Sequence, residues 1–314
     1  MKPQKTRTTL LLNWYANPYH TPIFVAKALG YYAEEEINLA ILETTDPSDV
    51  TEIVGLGKVD IGLKAMIHTI AARAKGFPVT SIGTLLDEPP TGLIALKSSG
   101  IRSFSDIVGK RVGYIGEFGK LMIEDLAKLA GIDPMSFQTV RVGMNVTDAI
   151  RRGIIDTGIG FINFQQVELE AIGETVMLRL DQLAGLGCCC FCSIQFIVHE
   201  NILNDQSEML KKFMQATQRG AAFTTENPEK AFEILCESKP QLRSELYKNI
   251  FTRTLPFFSR NLLNVDRDWN KVGRYTKHLG IIPKEFDVSE LYTNEYISES
   301  PYSEIEPIAC CLSK

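Results

Sequence analysis

No apolar run in the 314 residues approaches the roughly 18–20 residues that cross a bilayer as a helix, so no membrane partner is expected. Residues 1–9 are polar and basic, and only Leu10, Leu11 and Leu12 follow before Asn13. A secretory core needs roughly 7–15 apolar residues, and a cytoplasmic location is therefore expected. Excess positive charge is missing too. A formal net charge of −5 leaves no footprint for nucleic acid or an anionic surface. An anionic ligand would have to be held by local donors. Low-complexity blocks, long linkers and repeats of fixed period are absent, which excludes solenoids and arrays.

What is present is an ordinary globular composition, long enough for two lobes. The cysteines stand out: of seven, four are Cys188, Cys189, Cys190 and Cys192. Neighbours this close do not readily pair with one another, and the odd count argues against a disulfide framework. A reducing compartment would keep them as thiols.

Short apolar runs alternate with helix-like stretches. Residues 9–13, 39–42, 60–63 and 79–84 read as strands, with helices over 22–29, 48–56 and 65–75 between them. Gly30, Gly57 and Gly76 suit the helix ends. A second set begins near Gly100, with strands over 111–115, 138–142, 157–161 and 176–179 and helices over 121–130, 146–152 and 165–172. A further strand is expected at 193–198. From Ser207 the pattern is helical to about Leu279, followed by an irregular tail. Such alternation implies parallel sheets covered by helices. Two α/β units with a helical return predict a two-lobed binding-protein architecture. The expected lobes are 8–97 with 195–297, and 98–194, leaving 298–314 as a tail. The ligand would lie in the cleft, where loops at the carboxyl ends of parallel strands commonly form sites.

Four segments could carry chemistry. In Gly62-Leu-Lys-Ala-Met-Ile-His68, a helix starting near Lys64 would put Lys64 and His68 on one face. A lysine entering a cleft could form an imine with an aldehyde; the alternative is a solvated lysine and a core histidine. In Gly113-Tyr-Ile-Gly-Glu-Phe-Gly-Lys120, Gly116 and Gly119 permit a tight turn, and amides at the helix start suit a phosphate. Lys120 would add charge or point to solvent, and the Walker pattern is absent. Cys188-Cys-Cys-Phe-Cys192 offers soft ligands to a metal, although its spacing matches neither zinc nor iron–sulfur motifs. Redox thiols or a packed hinge remain alternatives. In Asn13-Trp-Tyr-Ala-Asn-Pro-Tyr-His20, Trp14 and Tyr19 could stack on a flat heteroaromatic ring while Asn13 and His20 bond its edge. A domain-closing aromatic cluster would explain the same residues. Asp87-Glu88-Pro89 has no decisive spacing, and Cys310-Cys311 lies in the tail.

Taken together, these segments resemble the single-turnover hydroxymethylpyrimidine phosphate synthases of thiamine biosynthesis. The likeness is carried by LLNW with PYH, DPSDVTE, GKVDIGLKAMIHT, GFPVTS, LLDEP, GEFGK, GMNV, QQVELE and GCCCFC, and extends through RDW and YTNEY. It covers roughly residues 9–297. The lysine–histidine and cysteine segments in combination are its most specific part.

The resemblance implies an α/β, two-lobed periplasmic-binding-protein-like (type II) fold with a helical C-terminal return. It implies that Lys64 holds pyridoxal phosphate as an imine and that His68 donates imidazole atoms to the product. Gly116, Glu117, Phe118 and Gly119 would cradle the phosphate, with Asn13 and Trp14 against the ring. The run Cys188, Cys189, Cys190 and Cys192 would be associated with iron, molecular oxygen would be the oxidant, and the chain would form a homodimer. Pyridoxal phosphate would then be a co-substrate. The main rival is a solute-binding protein for a pyrimidine or thiamine precursor. It predicts the same lobes but neither the Lys64–His68 pair nor a reduced cysteine run. A third reading is a sensor that kept the fold and lost the chemistry.

Overall fold

A computed structural model of the chain describes residues 6–44, 50–87, 89–180 and 193–298. Its strands, in chain order, are β1 (Thr6–Leu11), β2 (Ile37–Leu42), β3 (Ile61–Ala65), β4 (Val79–Leu86), β5 (Thr91–Leu96), β6 (Arg111–Tyr114), β7 (Gln138–Arg141), β8 (Thr157–Phe161), β9 (Thr175–Arg179) and β10 (Ile194–His199). The α-helices are α1 (Thr21–Ala28), α2 (Tyr31–Glu34), α3 (Val50–Gly55), α4 (Met66–Ala74), α5 (Glu117–Leu129), α6 (Val146–Arg151), α7 (Gln165–Glu170), α8 (Asn201–Asp205), α9 (Ser207–Glu226), α10 (Pro228–Ser238), α11 (Glu245–Thr254) and α12 (Asp266–His278). Among the described residues no helix is long and apolar enough to cross a membrane.

The described residues fall into two compact units: those up to Asp87 with those from Ser193 on, and those from Pro89 to Leu180. Both units share one plan. The first sheet has the order β2-β1-β3-β10-β4 and the second β7-β6-β8-β5-β9. In the first, β1, β2 and β3 are parallel and β10 lies antiparallel between β3 and β4. In the second, β6, β7 and β8 are parallel and β5 is antiparallel between β8 and β9. In chain order each inserted strand follows a strand of the other unit, β5 after β4 and β10 after β9. Because β5 pairs with β8 and β9, the chain leaves the first unit after Asp87, ahead of the boundary expected at 97.

An aspartate fastens each sheet at the equivalent place. Asp60, in the turn entering β3, accepts from the Thr9 amide and hydroxyl, both at 2.7 Å. Asp156, in the turn entering β8, accepts from the Arg111 amide at 2.8 Å and pairs with its guanidinium at 2.9 Å. These bonds tie β1 to the start of β3 in the first unit and β6 to the start of β8 in the second.

Strands β4 and β10 of the first sheet are buried on both faces. Every residue of β4 is buried, and Phe196, Ile197 and Val198 of β10 are fully so. Helix α9 packs on α1 because it carries Gly220 at the crossing. A Cβ there would lie 2.2 Å from the Pro22 carbonyl and 2.7 Å from Ala26, an overpacking that costs about 1–3 kcal/mol. The outer edge of β4 is closed by the C-terminal segment: Ser259 donates to the Leu85 carbonyl at 3.1 Å, Asp87 to Phe257 at 2.7 Å and Thr293 to Ser81 at 2.9 Å. The irregular stretches between the last helices thus cover an edge that would otherwise pair with other chains.

Candidate active site

Strands β1 and β3 are parallel, with Leu11 opposite Gly62. Asn13 follows two residues after Leu11, just past the end of β1, and Lys64 two residues after Gly62 within β3, so both lie at the carboxyl ends of these parallel strands. Lys64 does not head a helix, as the spacing predicted. It belongs to β3, because β10 pairs with it through Gln195 and with Ala65 through Ile194. The helix begins at Met66, whose amide donates to the Ser193 carbonyl at 3.0 Å. The two residues are therefore joined by a strand-to-helix corner rather than one helical face.

Lys64 is only 3% exposed, and His68 is half-buried in the first turn of α4. Burial pushes the His68 pKa well below its ordinary value, and the positive charges of Lys64 and Lys75 push it the same way. The imidazole is thus neutral near pH 7, with a nitrogen lone pair retained. The charge of Lys64 is thus felt at the His68 ring.

Gln195, read from the sequence only as part of an apolar strand, is a polar group at this end of the sheet. It lies opposite Lys64 and is fully buried. One end of its amide lies 3.1 Å from Ser81 Oγ and 3.0 Å from Thr84 Oγ1. Ser81 gives its one hydroxyl proton to Asn264 Oδ1 at 2.8 Å, which also accepts from Trp269 Nε1 at 3.2 Å. The other end of the Gln195 amide has no hydrogen-bond partner among the described residues. A buried amide end left over from its network costs about 1–3 kcal/mol.

The aromatic segment after β1 forms a compact turn. Asn17 starts a 3-10 turn at Pro18–His20, its Oδ1 accepting from the Tyr19 amide at 2.9 Å. His20 is fully buried and its Nε2 lies 3.0 Å from Asn13 Oδ1. Asn13 itself is 9% exposed. Trp14 is buried, with Tyr15 edge-on to its ring at 5.5 Å.

In the second unit, α5 begins at Glu117, directly after Gly116, and not near Leu121 as the periodicity predicted. Glu117, Phe118 and Gly119 are therefore its first turn, and Gly116 is an N-cap without a side-chain cap. Such an end suits an anion through its amides and dipole. The two glycines differ in what they permit. A Cβ at Gly116 would meet nothing within 4 Å, whereas at Gly119 it would sit 3.0 Å from Ile159 and 3.4 Å from Tyr114. Lys120 pairs with Glu124 along the helix at 3.7 Å.

The run Cys188, Cys189, Cys190 and Cys192 lies outside the described residues, as do Cys310 and Cys311. Among the described residues no three His, Cys, Asp or Glu side chains converge as a metal site would require.

Fold and site together define an α/β chain of the periplasmic-binding-protein-like class, with a buried lysine and a neutral histidine at one sheet edge. An alkanesulfonate-binding protein of Xanthomonas axonopodis pv. citri superposes with a TM-score of 0.72 over 93% of this chain and 99% of that one, at 13% identity. A Candida albicans protein described as exhibiting the generic periplasmic binding protein fold gives 0.68 over 94% and 97%, at 18% identity. At such identities the likeness concerns the fold alone. Sequence goes further. The family described as NMT1/THI5 like matches residues 17–231. A Legionella pneumophila protein named 4-amino-5-hydroxymethyl-2-methylpyrimidine phosphate synthase is 74% identical over 99% of both chains. The Saccharomyces cerevisiae protein of that name designated THI5 is 48% identical over 93% of this chain and 88% of its own. The chain belongs to the NMT1/THI5 like family.

Proposed function

We propose that this chain makes 4-amino-5-hydroxymethyl-2-methylpyrimidine phosphate for thiamine biosynthesis, using pyridoxal phosphate and the imidazole of His68, once per polypeptide. Relatives at 48% and 74% identity carry that synthase's name. The observation that carries the reading is the buried Lys64 acting on a neutral His68 at one sheet edge.

Taken unit by unit, the residues present have chemistry suited to pyridoxal phosphate. Lys64 offers a buried primary amine, Asn13 a polar edge, and the uncapped start of α5 a set of amides for a phosphate. When bound, the group supplies an electrophilic aldehyde carbon and ring atoms for the product. Lys64 would hold that carbon near His68, which would replace a diffusional encounter with a high local concentration. Burial at Lys64 keeps water from competing. His68, kept neutral by its surroundings, presents an unprotonated nitrogen.

Rearranging an imidazole requires an oxidant, which acid–base side chains cannot provide; iron and molecular oxygen would. The thiolates of Cys188, Cys189, Cys190 and Cys192 are soft donors of the kind that hold such a metal. A cytoplasmic homodimer is the setting this reading carries with it.

The test is borohydride reduction of protein incubated with pyridoxal phosphate, followed by peptide mapping, and aerobic incubation with ferrous iron followed by product analysis. A modified Lys64 and release of the pyrimidine phosphate are expected. Modification of another lysine with Lys64 intact, or binding without any pyrimidine, overturns the proposal.

A further inference from the structure

The turn between β1 and α1 contains a relay of hydrogen bonds whose direction can be worked out atom by atom. The Asn17 amide donates to His20 Nδ1 at 3.2 Å. A ring nitrogen that accepts carries no proton. Burial drives the His20 pKa down to about 3, with Glu43 opposing and Lys239 reinforcing the shift, so the ring is neutral. Its single proton is therefore on Nε2, which donates to Asn13 Oδ1 at 3.0 Å. Asn17 is itself fixed, since its Oδ1 accepts from the Tyr19 amide and its Nδ2 donates to the Tyr15 carbonyl at 2.8 Å.

The two ends of an asparagine amide are alike in shape, and its neighbours decide which way it points. Here the oxygen is turned to His20, so the NH2 group faces away from it. We infer that His20 is a positioning residue that makes Asn13 a hydrogen-bond donor at the Lys64 edge, so that the site selects a ligand with an acceptor atom on the edge of its ring. The inference rests on the reading above for the identity of the ligand. In pyridoxal phosphate the acceptors available are the 3-oxygen and the ring nitrogen. A donor-only contact favours the ionised oxygen or the unprotonated nitrogen. A protonated ring nitrogen would meet hydrogen with hydrogen.

Three variants separate the parts of the relay. His20→Gln places an amide N–H near the position of Nε2 and restores the bond to Asn13. His20→Asn keeps an acceptor for the Asn17 amide but is too short to reach Asn13. Asn13→Asp keeps the acceptor for His20 and removes the donor. Pyridoxal phosphate affinity, read by absorbance titration, is expected to match wild type in His20→Gln and to fall about tenfold in His20→Asn and Asn13→Asp, the size of one lost hydrogen bond to a polar ligand. Analogues lacking the 3-hydroxyl, or with carbon in place of the ring nitrogen, identify the acceptor: the one that lacks it no longer distinguishes His20→Asn from wild type.

Nitrogen-15 spectra of unliganded wild-type protein test the relay independently of any ligand and of whether the variants fold. A neutral ring protonated on Nε2 from pH 5 to 8 is expected. Protonation on Nδ1, or folded His20→Asn binding as tightly as wild type, overturns the inference. Failure of the wild type to bind pyridoxal phosphate overturns the functional reading instead and leaves the tautomer to decide the relay.

Discussion

Lys64 lies at the end of β3 and His68 in the first turn of α4, and the positive charge of the lysine helps to hold the imidazole in its neutral form. Burial is the larger cause and Lys75 a further one. The corner between strand and helix places an amine and an unprotonated imidazole together without a shared helical face.

Removing the charge should therefore move the titration of His68. In Lys64→Met its midpoint is expected to rise towards the ordinary histidine value while staying below it, since burial remains. Proton or nitrogen-15 spectra across a pH series measure this directly. An unchanged or lower midpoint would show that the two side chains are not coupled.

The neutral histidines also give stability a pH dependence of definite sign. His20 has a native pKa of about 3, against about 6.5 in an unfolded chain. Between these values the unfolded chain binds a proton that the native chain does not. The contribution is complete above about pH 6.5 and is lost as pH falls, at about 1.4 kcal/mol per pH unit for one such group. His68 acts in the same direction. Urea unfolding at pH 7.5, 6.5 and 5.5 should show stability falling with pH, and His20→Gln should flatten the slope by about that amount per unit below the unfolded pKa. An equal slope in the variant would mean that His20 titrates normally.

The start of α5 allows phosphate binding to be tested without disturbing the fold. Gly116 has open space where a side chain would go, and its φ of −130° suits any residue. Gly116→Leu should leave the melting temperature of the protein unchanged. It should weaken pyridoxal phosphate binding while leaving pyridoxal, which lacks the phosphate, unaffected. Gly119→Leu should instead destabilise the second unit by about 1–3 kcal/mol, because Ile159 and Tyr114 already fill the space. Equal losses for both ligands in Gly116→Leu would place the phosphate elsewhere.

Local pattern revealed the alternation of strands and helices, and it located Gly30, Gly57 and Gly76, all of which adopt positive φ at or beyond helix ends. It failed where a distant strand decides the outcome. The segment 91–96 is apolar and follows β4 after two prolines, yet it pairs with strands from much later in the chain. Lys64 and Ala65 looked like a helix start, and only β10 makes them strand. Gln195 was hidden for the same reason: inside an apolar run one amide looks incidental, and its importance comes from Ser81, Thr84 and Asn264, which distant segments supply. The roles of the site residues came from the family resemblance that several short segments carry together. Their individual spacing allowed bland alternatives, and for Lys64 and His68 the expected helical face is replaced by a strand-to-helix corner.

If His68 is a substrate within the chain, yield is limited by the protein itself. Product should not exceed one pyrimidine per polypeptide, however much pyridoxal phosphate, ferrous iron and oxygen are supplied. His68→Asn should still hold pyridoxal phosphate at Lys64, since that amine is untouched, but should make no pyrimidine because the imidazole atoms are gone. Protein labelled with nitrogen-15 only in histidine should pass the label to the product. Mass spectrometry of the spent chain should find the loss at position 68 and leave His20, His199 and His278 intact. The alteration of His68 and the label in the product must occur in equal amounts, because each imidazole can be spent once. Multiple turnovers, or an unlabelled pyrimidine from labelled protein, would show that the histidine is not consumed, and His68 would then act on a substrate supplied from solution.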